Sequence, residues 1–373
     1  MEPFKNEFSF PNARRIAVAV QGAHPAFNLA RFTKGLEAAI APLELKQRMQ
    51  LIADRLEAGL PAHPPALFEI LTAALSNDES DTTGLRGFLV WPLTDIVARR
   101  GLDHFEESMA ALEQMTRRFT AEFAIRPFLR QHQDRTLRQL TRWCKHPDEH
   151  VRRLVSEGSR PLLPWGGNLP ELLKPPFPTL DLLEQLHRDP SDYVRLSVSN
   201  HLNDFSKHHP QLVVETLTRW LTEAPSDPRL GKLSRHACRT LLKSGHPAAL
   251  TLHGYGSAKS LTLESFTIAK QSVILGESLE FQIRIRNSSR KPLRVMFDYA
   301  IHHLKANGSH SPKVFKGRVC EIAPGQLWNI EGRHPIRLIT TRVYHPGLHH
   351  FEPRINGQAH PALSFTLKIP QTS

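Results

Sequence analysis

A helical segment repeats itself in the middle of the chain, and this repeat limits the fold more than any other feature. Five positions recur 43 residues further on with the same or similar residues: Pro147, Val151, Arg152, Ser156 and Glu157 first, then Pro190, Val194, Arg195, Ser199 and Asn200. A weaker third copy follows about 40 residues later, around Arg235. This period, with a proline-containing turn before a Val-Arg helix, is typical of HEAT-like repeats. The sequence therefore predicts an α-α superhelical repeat solenoid.

The repeat also aligns basic residues. If the second helix of each repeat lines the concave face of the solenoid, then Arg152, Arg195 and Arg235 form one row, which suits the phosphates of an extended polyanion. The alternative is that these arginines hold the turns of their own repeats through ion pairs. Glu157 is replaced by Asn200 in the second copy, so this carboxylate is not required to build the repeat.

The sequence pattern changes from helical to strand-like near Gly254. Alternating, β-branched segments of strand length follow one another, separated by Gly- and Asn-containing turns: SLTLESFTIAKQ, SLEFQIRIRN, LRVMFDYAIHHL, PKVFKGRVCEI, IRLITTRVY and LSFTLKI. Such spacing predicts an immunoglobulin-like β-sandwich without a core disulfide. The predicted fold class is thus multidomain and mainly α, with a repeat domain over residues 1–256 and an Ig-like domain over 257–373.

Charge and cysteine content indicate the class of partner and compartment. The net charge is +12, and residues 258–373 alone hold 16 Lys and Arg against 7 Asp and Glu, which favours a polyanionic partner. The cysteines, Cys144, Cys238 and Cys320, form no CxxC pair and no disulfide framework, as expected in a reducing cytoplasm. We see no signal peptide, membrane span or metal-binding motif, and we expect a cytoplasmic monomer without cofactors.

Three carboxylates in the predicted helical region are candidates for a catalytic role, Glu122, Glu157 and Asp204, and Glu171 is less favoured. Glu122 falls in a stretch predicted to be helical over residues 105–129, where the alternative is a solvated pair with Arg126. For Asp204 the alternative is a cap or turn acceptor near a helix end. Glu157 lies between Arg153 and Arg160 on one face of a short basic helix.

Trp165 lies in the stretch LLPWGG, where the preceding proline and the two following glycines predict a stiff turn that exposes the indole. The alternative is a buried packing residue, as we expect for Trp143 and Trp220. The chain has no GxxxxGK[ST], GxGxxG or GxSxG motif, which counts against nucleotide hydrolysis, dehydrogenase and α/β-hydrolase functions.

These segments together resemble a known enzyme family. The stretches EFAIRPFLR, WCKHPDEHVRRLVSEGSRPLLPWGG and SDYVRLSVSNHLNDFSKHHP are similar to the AlkC branch of the alkylpurine DNA glycosylases with HEAT-like repeats. The resemblance covers about residues 1–255, and the β-rich remainder resembles the Ig-like domain that some members of the branch carry. The Trp-Asp pattern around the catalytic Asp of the related AlkD branch is missing here.

The resemblance implies a monofunctional glycosylase that removes cationic methylated bases from double-stranded DNA, 3-methyladenine first and 3-methylcytosine in addition, on a lesion still inside the duplex. The chemistry of the residues agrees with this: Glu122, Glu157 and Asp204 can stabilise the sugar and position water, and Trp165 can offer an aromatic face to the cationic base. Asp204 and Glu157 lead, because both lie in the arginine-bearing repeats. The residues expected to bind DNA, with the Ig-like domain closing over it, are Arg126, Arg152, Arg153, Arg160, Arg195, Arg235, Lys305 and Lys313. The main alternative is a non-catalytic repeat adaptor that binds nucleic acid or protein, because fold does not fix function.

Overall fold

The computed structural model describes residues 3–78, 80–339 and 342–370. Within them, sixteen α-helices occupy the region up to Leu252: α1 Phe10–Ala23, α2 Leu29–Thr33, α3 Leu36–Ile40, α4 Leu45–Glu57, α5 Pro64–Ala73, α6 Trp91–Arg100, α7 Phe105–Thr116, α8 Ile125–Gln131, α9 Gln133–Trp143, α10 Glu149–Gly158, α11 Leu180–Leu186, α12 Asp192–Phe205, α13 Pro210–Glu223, α14 Pro228–Ala237, α15 Arg239–Ser244 and α16 Pro247–Leu252. None of these helices combines the length and the hydropathy needed to cross a membrane.

The chain forms two compact units. The first contains the chain through Phe205 together with Pro228–Leu233, and the second contains Ser206–Asp227 and the chain from Ser234 onward. Helices α13, α15 and α16 therefore group with the β-strands rather than with the earlier helices. The predicted boundary after residue 256 lies between α16 and the first strand.

Helix α10 shows how the sequence sets local structure in the repeat. Asp148 caps its start, with Oδ1 accepting a hydrogen bond from the His150 amide at 2.8 Å. Val151, Leu154 and Val155 share one face and are fully buried, and α10 packs against α12. The carboxyl-terminal halves of these two repeat helices carry two of the predicted acids, Glu157 and Asp204.

The helix predicted over residues 105–129 is wrong in its middle, because α7 ends at Thr116 and α8 begins at Ile125. Tertiary contacts made by the intervening chain override its helix propensity. The Arg118 guanidinium donates to the carbonyls of Ser76 and Asn77, at 2.5 Å each, and the Arg118 carbonyl accepts from the Gly87 amide at 3.1 Å. Glu122 consequently lies in the connection between α7 and α8, not on a helix.

The second unit contains a β-sandwich. Its strands are β1 Leu261–Ile268, β2 Ser272–Ile274, β3 Ser278–Asn287, β4 Leu293–Leu304, β5 His310–Ile322, β6 Leu327–Pro335, β7 Gly347–Ile355, β8 Gln358–Ala359 and β9 Leu363–Lys368. One sheet has the order β1-β3-β6 and the other β2-β9-β7-β4-β5, with β8 beside β7. Adjacent strands pair antiparallel except β2 with β9, which are parallel.

Aromatic side chains pack in the centre of the sandwich, which has no disulfide between its sheets. The ring of Tyr299 stacks on that of Phe351, with centroids 4.7 Å apart and planes 8° apart, and Phe281 packs against both. All three cysteines are free thiols, so the prediction of an Ig-like sandwich without a core disulfide is confirmed.

The strands are joined closely to the last helices of the same unit. Gly245, after α15, and Gly357, after β7, each have a φ of 75°, and a Cβ on Gly357 would lie 2.1 Å from the Gly245 Cα. The side-chain Nδ2 of Asn356 donates to the Gly256 carbonyl at 2.7 Å, and the Arg294 guanidinium lies over the Tyr255 ring. Helices and sandwich thus share one interface, and its contact between Gly245 and Gly357 has no room for a side chain.

Candidate active site

The ends of α10 and α12 bring two of the predicted acids onto one arginine. Arg160 donates to both carboxylate oxygens of Asp204, from Nε at 2.9 Å and from Nη2 at 3.2 Å, and to Glu157 Oε1 from Nη1 at 2.8 Å. All three side chains are at least nine-tenths buried. Asp204 is therefore not the helix cap or turn acceptor considered above but half of a buried bidentate pair.

A second arginine extends this cluster to the α7–α8 connection. Arg153 Nη1 lies 2.5 Å from Glu122 Oε2, and its Nη2 lies 3.6 Å from Glu157 Oε1. The solvated pair between Glu122 and Arg126 is thus wrong, since Glu122 pairs with Arg153. We call Glu122, Arg153, Glu157, Arg160 and Asp204 the acid–arginine cluster. Its three carboxylates and two guanidiniums leave one net negative charge.

Both arginines of the cluster keep their charge despite their environment. Burial acts to lower the pKa of Arg153, but the negative charges of Glu157 and Glu122 outweigh it and raise that pKa. Burial likewise acts to lower the pKa of Arg160, but the hydrogen bonds that Arg160 donates to Asp204, together with the charge of Glu157, raise that pKa. The cluster is therefore a fixed array of ions inside the protein.

Two neutral side chains hold the cluster from α12. Ser197 Oγ donates to Glu157 Oε2 at 2.7 Å. His201 is fully buried, and burial lowers the pKa of its imidazole to about 3. Its Nδ1 lies 2.9 Å from the Ser156 carbonyl and its Nε2 lies 3.2 Å from Thr179 Oγ1, which assigns the proton to Nδ1. The neutral ring thereby links α12 to α10 beside the cluster.

The predicted exposure of Trp165 is confirmed, because 58% of the residue is accessible. Its backbone adopts a φ of 65°, a left-handed conformation that is a true outlier for a bulky residue. The Trp165 carbonyl accepts a hydrogen bond from Lys46 Nζ at 2.6 Å. An aromatic side chain is thus presented to solvent from a turn whose backbone is fixed.

Arg126 fixes this turn from inside. Its guanidinium donates to four carbonyls, those of Gly158 at 2.9 Å, Arg160 at 2.8 Å, Gly166 at 3.1 Å and Gly167 at 2.5 Å. Only 1% of Arg126 is exposed, and burial, with repulsion from Arg130 and Arg160, lowers its pKa to about 10. We therefore assign Arg126 to building the turn and no longer expect it to contact a phosphate.

Two of the repeat arginines, Arg152 and Arg195, bind turns of the repeats, as the alternative predicts, although the ion pair of Arg152 reaches the turn before the next repeat helix. Arg152 binds both oxygens of Asp189, from Nε at 2.6 Å and Nη2 at 3.0 Å. Arg195 donates to the Asp189 carbonyl and to the Asp192 carboxylate. Arg235, by contrast, is exposed in the last turn of α14. Arginines that already bind carboxylates and carbonyls in this way are poor ligands for phosphate.

The two lysines predicted to bind DNA lie on the hairpin between β4 and β5. Lys305 is exposed in the turn, where its amide donates to the Ser309 carbonyl at 2.8 Å. Lys313 is exposed on β5, with Nζ 5.6 Å from the centroid of the Phe315 ring. Neither side chain is buried, so both can reach an external anion.

Comparison with known proteins identifies the family. Residues 262–369 match a family model described as "Uncharacterised protein YhaZ, C-terminal Ig-like domain". The YhaZ protein of Bacillus subtilis (strain 168) is 40% identical over 347 residues, which is 93% of this chain and 94% of YhaZ. The alkylpurine DNA glycosylase AlkC of Pseudomonas fluorescens, solved bound to DNA containing an abasic site analog, superposes with a TM-score of 0.89 at 34% identity. That match covers 98% of this chain and all of the AlkC chain.

The chain belongs to the AlkC family. This membership confirms the predicted fold class of helical repeats followed by an Ig-like domain. The burial predicted for Trp143 and Trp220 is also confirmed, at 3% and 1% exposure. Glu171, the least favoured acid, is exposed and pairs with Lys174 at 2.9 Å, outside the acid–arginine cluster.

Sequence reasoning missed three residues near the acid–arginine cluster and the Trp165 turn. Tyr193 and Ser197 precede Asp204 by eleven and seven positions, so helical spacing places all three on one face of α12, and that signal could have found them. Arg130 is exposed, and its Nη2 lies beside Gly167 in the Trp165 turn. Across the described residues, no group of three or more His, Cys, Asp or Glu side chains has the arrangement of a metal site.

Proposed function

We propose that this protein is a monofunctional DNA glycosylase that hydrolyses the N-glycosidic bond of cationic N-alkylated bases, 3-methyladenine first and 3-methylcytosine in addition. The observation that carries this proposal is the acid–arginine cluster. A chain with a net charge of +12 keeps three carboxylates close together, and Arg126 joins the end of the helix that carries Glu157 to the turn of the exposed Trp165. A protein that only had to hold DNA would lose affinity by keeping these carboxylates.

The chemistry of cationic bases fits these residues. A base alkylated on a ring nitrogen already carries a positive charge, so it can leave without being protonated. As the C1′–N bond breaks, its electron pair neutralises the base and positive charge develops on the sugar. Carboxylates stabilise such an oxocarbenium-like centre and orient the attacking water, which adds to C1′ and gives up its proton to one of these carboxylates. Glu122, Glu157 and Asp204 supply this anionic field.

Exposure of Trp165 supports catalysis on a base that stays in the duplex. Enzymes that extrude a nucleotide enclose it in a snug pocket, whereas this indole projects from the surface on a rigid turn. An aromatic face favours a cationic partner, so Trp165 can lie against the lesion without surrounding it. The similarity to the Pseudomonas AlkC structure, which contains DNA with an abasic site analog, is consistent with double-stranded DNA as the partner.

Chromatography of the bases released from methylated DNA tests the proposal. We expect the wild-type protein to release 3-methyladenine and 3-methylcytosine, and Glu122→Gln, Glu157→Gln and Asp204→Asn each to slow single-turnover release by about 10²-fold or more. Glu157→Gln should be the slowest, because Glu157 contacts both arginines of the cluster.

Glu171→Gln is the matched control, since it removes an exposed carboxylate outside the cluster, and it should release bases at the wild-type rate. If the wild-type protein releases no methylated base, the proposal is wrong and a non-catalytic nucleic-acid adaptor is favoured. If release survives all three cluster substitutions, the catalytic roles are wrong.

A further inference from the structure

Glu122 depends on side-chain contacts for its position, because it lies in the connection between α7 and α8 and not on a helix. Its Oε2 accepts hydrogen bonds from Arg153 Nη1 at 2.5 Å and from Thr120 Oγ1 at 2.9 Å. Arg153 Nη1 also donates to Thr120 Oγ1 at 2.8 Å. These three side chains therefore form a closed triangle around one carboxylate oxygen. The other two acids of the cluster stand on helices and are bound by Arg160.

The guanidinium of Arg153 in turn lies against an aromatic ring. Its Cζ is 5.1 Å from the centroid of the Tyr193 ring, which is within the range of a cation–π interaction. Tyr193 stands in the first turn of α12, where its amide donates to Ser191 Oγ at 3.2 Å. The His150 ring packs against the Tyr193 ring at 5.6 Å between centroids, with the planes 68° apart. The ring thus has supports of its own, which do not involve Arg153.

Bound DNA brings a competitor for Arg153. Phosphate oxygens bind guanidinium groups as carboxylates do, and 15% of the Arg153 side chain is accessible. If Arg153 turned to a phosphate, Glu122 would lose the stronger of the two hydrogen bonds that hold its Oε2, and the carboxylate would no longer be fixed. An aromatic ring that favours the guanidinium in its present place opposes this movement.

We propose that Tyr193 is a positioning residue for base release. Its ring retains the guanidinium of Arg153 against Glu122 and thereby fixes where that carboxylate acts on the sugar. The inference rests on the proposed function and deepens it, because it gives Glu122 its place in the same hydrolysis. The alkylated base stays in the duplex throughout, and Tyr193 acts only through Arg153. The face of the ring carries this role, so the hydroxyl is not required.

Single-turnover kinetics separate positioning from DNA binding, because they give the rate of base release at saturating protein and the protein concentration that half-saturates it. We expect Tyr193→Leu to release 3-methyladenine about tenfold more slowly at saturation, with the half-saturating concentration within about twofold of the wild type. Tyr193→Phe keeps the ring and should retain most of the rate. Phe4→Leu is the matched control, since it replaces an exposed ring outside the cluster, and it should behave as the wild type.

A double-mutant cycle shows whether Tyr193 acts through Glu122. In the Glu122→Gln background no carboxylate remains to be positioned there, so adding Tyr193→Leu should slow release no further. The inference is wrong if Tyr193→Leu releases bases at the wild-type rate or slows release by the same factor in both backgrounds. It is equally wrong if the slower release comes with a matching loss of DNA affinity, which would make Tyr193 a DNA contact.

Urea unfolding tests the contact between Tyr193 and Arg153 without any base release. Tyr193→Leu should lower the unfolding midpoint of the wild-type protein and should lower that of Arg153→Gln much less. Equal shifts in the two proteins would overturn the inference even where bases are released. Unequal shifts in a protein that releases no methylated base would overturn the proposed function and leave the hold of Tyr193 on Arg153 intact.

Discussion

Trp165 has a strained backbone conformation although its side chain is exposed. A left-handed backbone costs a bulky residue about 1–3 kcal/mol. Lys46 and Arg126 hold the turn in that conformation through the carbonyls of Trp165, Gly166 and Gly167. A turn that had only to connect α10 with α11 could place glycine at this position without strain. The tryptophan is therefore retained for what its side chain contacts.

Replacing Trp165 with glycine should separate stability from function. Trp165→Gly and Trp165→Ala both remove an exposed indole, but only glycine accepts a φ of 65° without strain. We expect the glycine variant to be about 1 kcal/mol more stable than the alanine variant in urea unfolding, while both lose at least about tenfold in single-turnover base release. Equal stability of the two variants would show that the backbone is not strained.

His201 should make stability depend on pH. Burial lowers its folded-state pKa from 6.5 to about 3, so between these values the unfolded chain binds a proton that the folded chain does not. The free energy of unfolding therefore falls as the pH decreases below 6.5, by up to about 1.4 kcal/mol per pH unit for this one group. In His201→Asn the free energy of unfolding should fall less steeply with decreasing pH, because this contribution is missing. Urea unfolding of both proteins between pH 6.5 and 4 measures the difference. Equal slopes would contradict a neutral, buried His201.

The sequence singles out the acids and places Glu157 between its partners Arg153 and Arg160, but it does not reveal the partners of Glu122 and Asp204. Glu122, Glu157 and Asp204 stood out because carboxylates are unexpected beside so many arginines. Which arginine each would bind depends on the packing of α10, α12 and the α7–α8 connection. Glu122 and Arg153 are 31 residues apart in the chain, and no local spacing relates them. The nearer candidate, Arg126, is instead drawn into the protein by four carbonyls.

At the scale of elements, the arginine at the start of each repeat helix binds the turn of a repeat. Arg152 donates to the carbonyls of His146 and Pro147 before its own helix, at 2.8 Å each, and to Asp189 before the next one. One side chain thereby fixes the entry of α10 and its spacing from α12. Since both helices contribute to the acid–arginine cluster, these turns set the distances between its charges.

Arg152→Ala should therefore lower stability without changing phosphate contacts. It leaves the buried Asp189 without its ion-pair partner, which we expect to cost about 3 kcal/mol in the free energy of unfolding. The slope of log K against log salt for DNA binding should stay unchanged, whereas Arg130→Ala should reduce its magnitude by about 0.9 with little loss of stability. A reduced slope in folded Arg152→Ala would restore the phosphate role predicted from the sequence.

The repeat helices could be predicted from the sequence because each carries its own signals: a proline turn, a cap such as Asp148 and a 3.6-residue apolar period. The break between α7 and α8 could not, because residues 105–129 keep helical periodicity throughout. What ends α7 is Arg118 binding carbonyls some forty residues earlier in the chain. A contact of that kind has no local sequence signature.

At the scale of the whole molecule, the Ig-like strands and helices α13, α15 and α16 form one compact unit. Deleting residues 258–373 should therefore do more than remove a DNA contact. We expect the truncated chain to lose the thermal unfolding transition of that unit entirely, and to bind DNA and release bases more weakly. The change can be followed by calorimetry and by single-turnover release.

Charge reversal in the intact chain isolates the DNA contact from this damage. Lys305→Glu with Lys313→Glu leaves the sandwich core untouched and should weaken DNA binding while the Tm stays within about 2 °C. Unchanged excision by the folded truncation, or unchanged DNA affinity of the double variant, would show that the Ig-like strands are dispensable for substrate binding.

The contact between Gly245 and Gly357 has a consequence for how such chains can be recombined. Two bare backbones meet there, and a side chain on Gly357 would collide with the backbone of Gly245. A β-sandwich from another protein can pack against these helices only if it has a glycine in the loop that meets Gly245. The β-rich part is therefore not an interchangeable cassette. A working chimera would have to carry the last helices along with the strands, with its crossover before α13 rather than at the visible change from helix to strand.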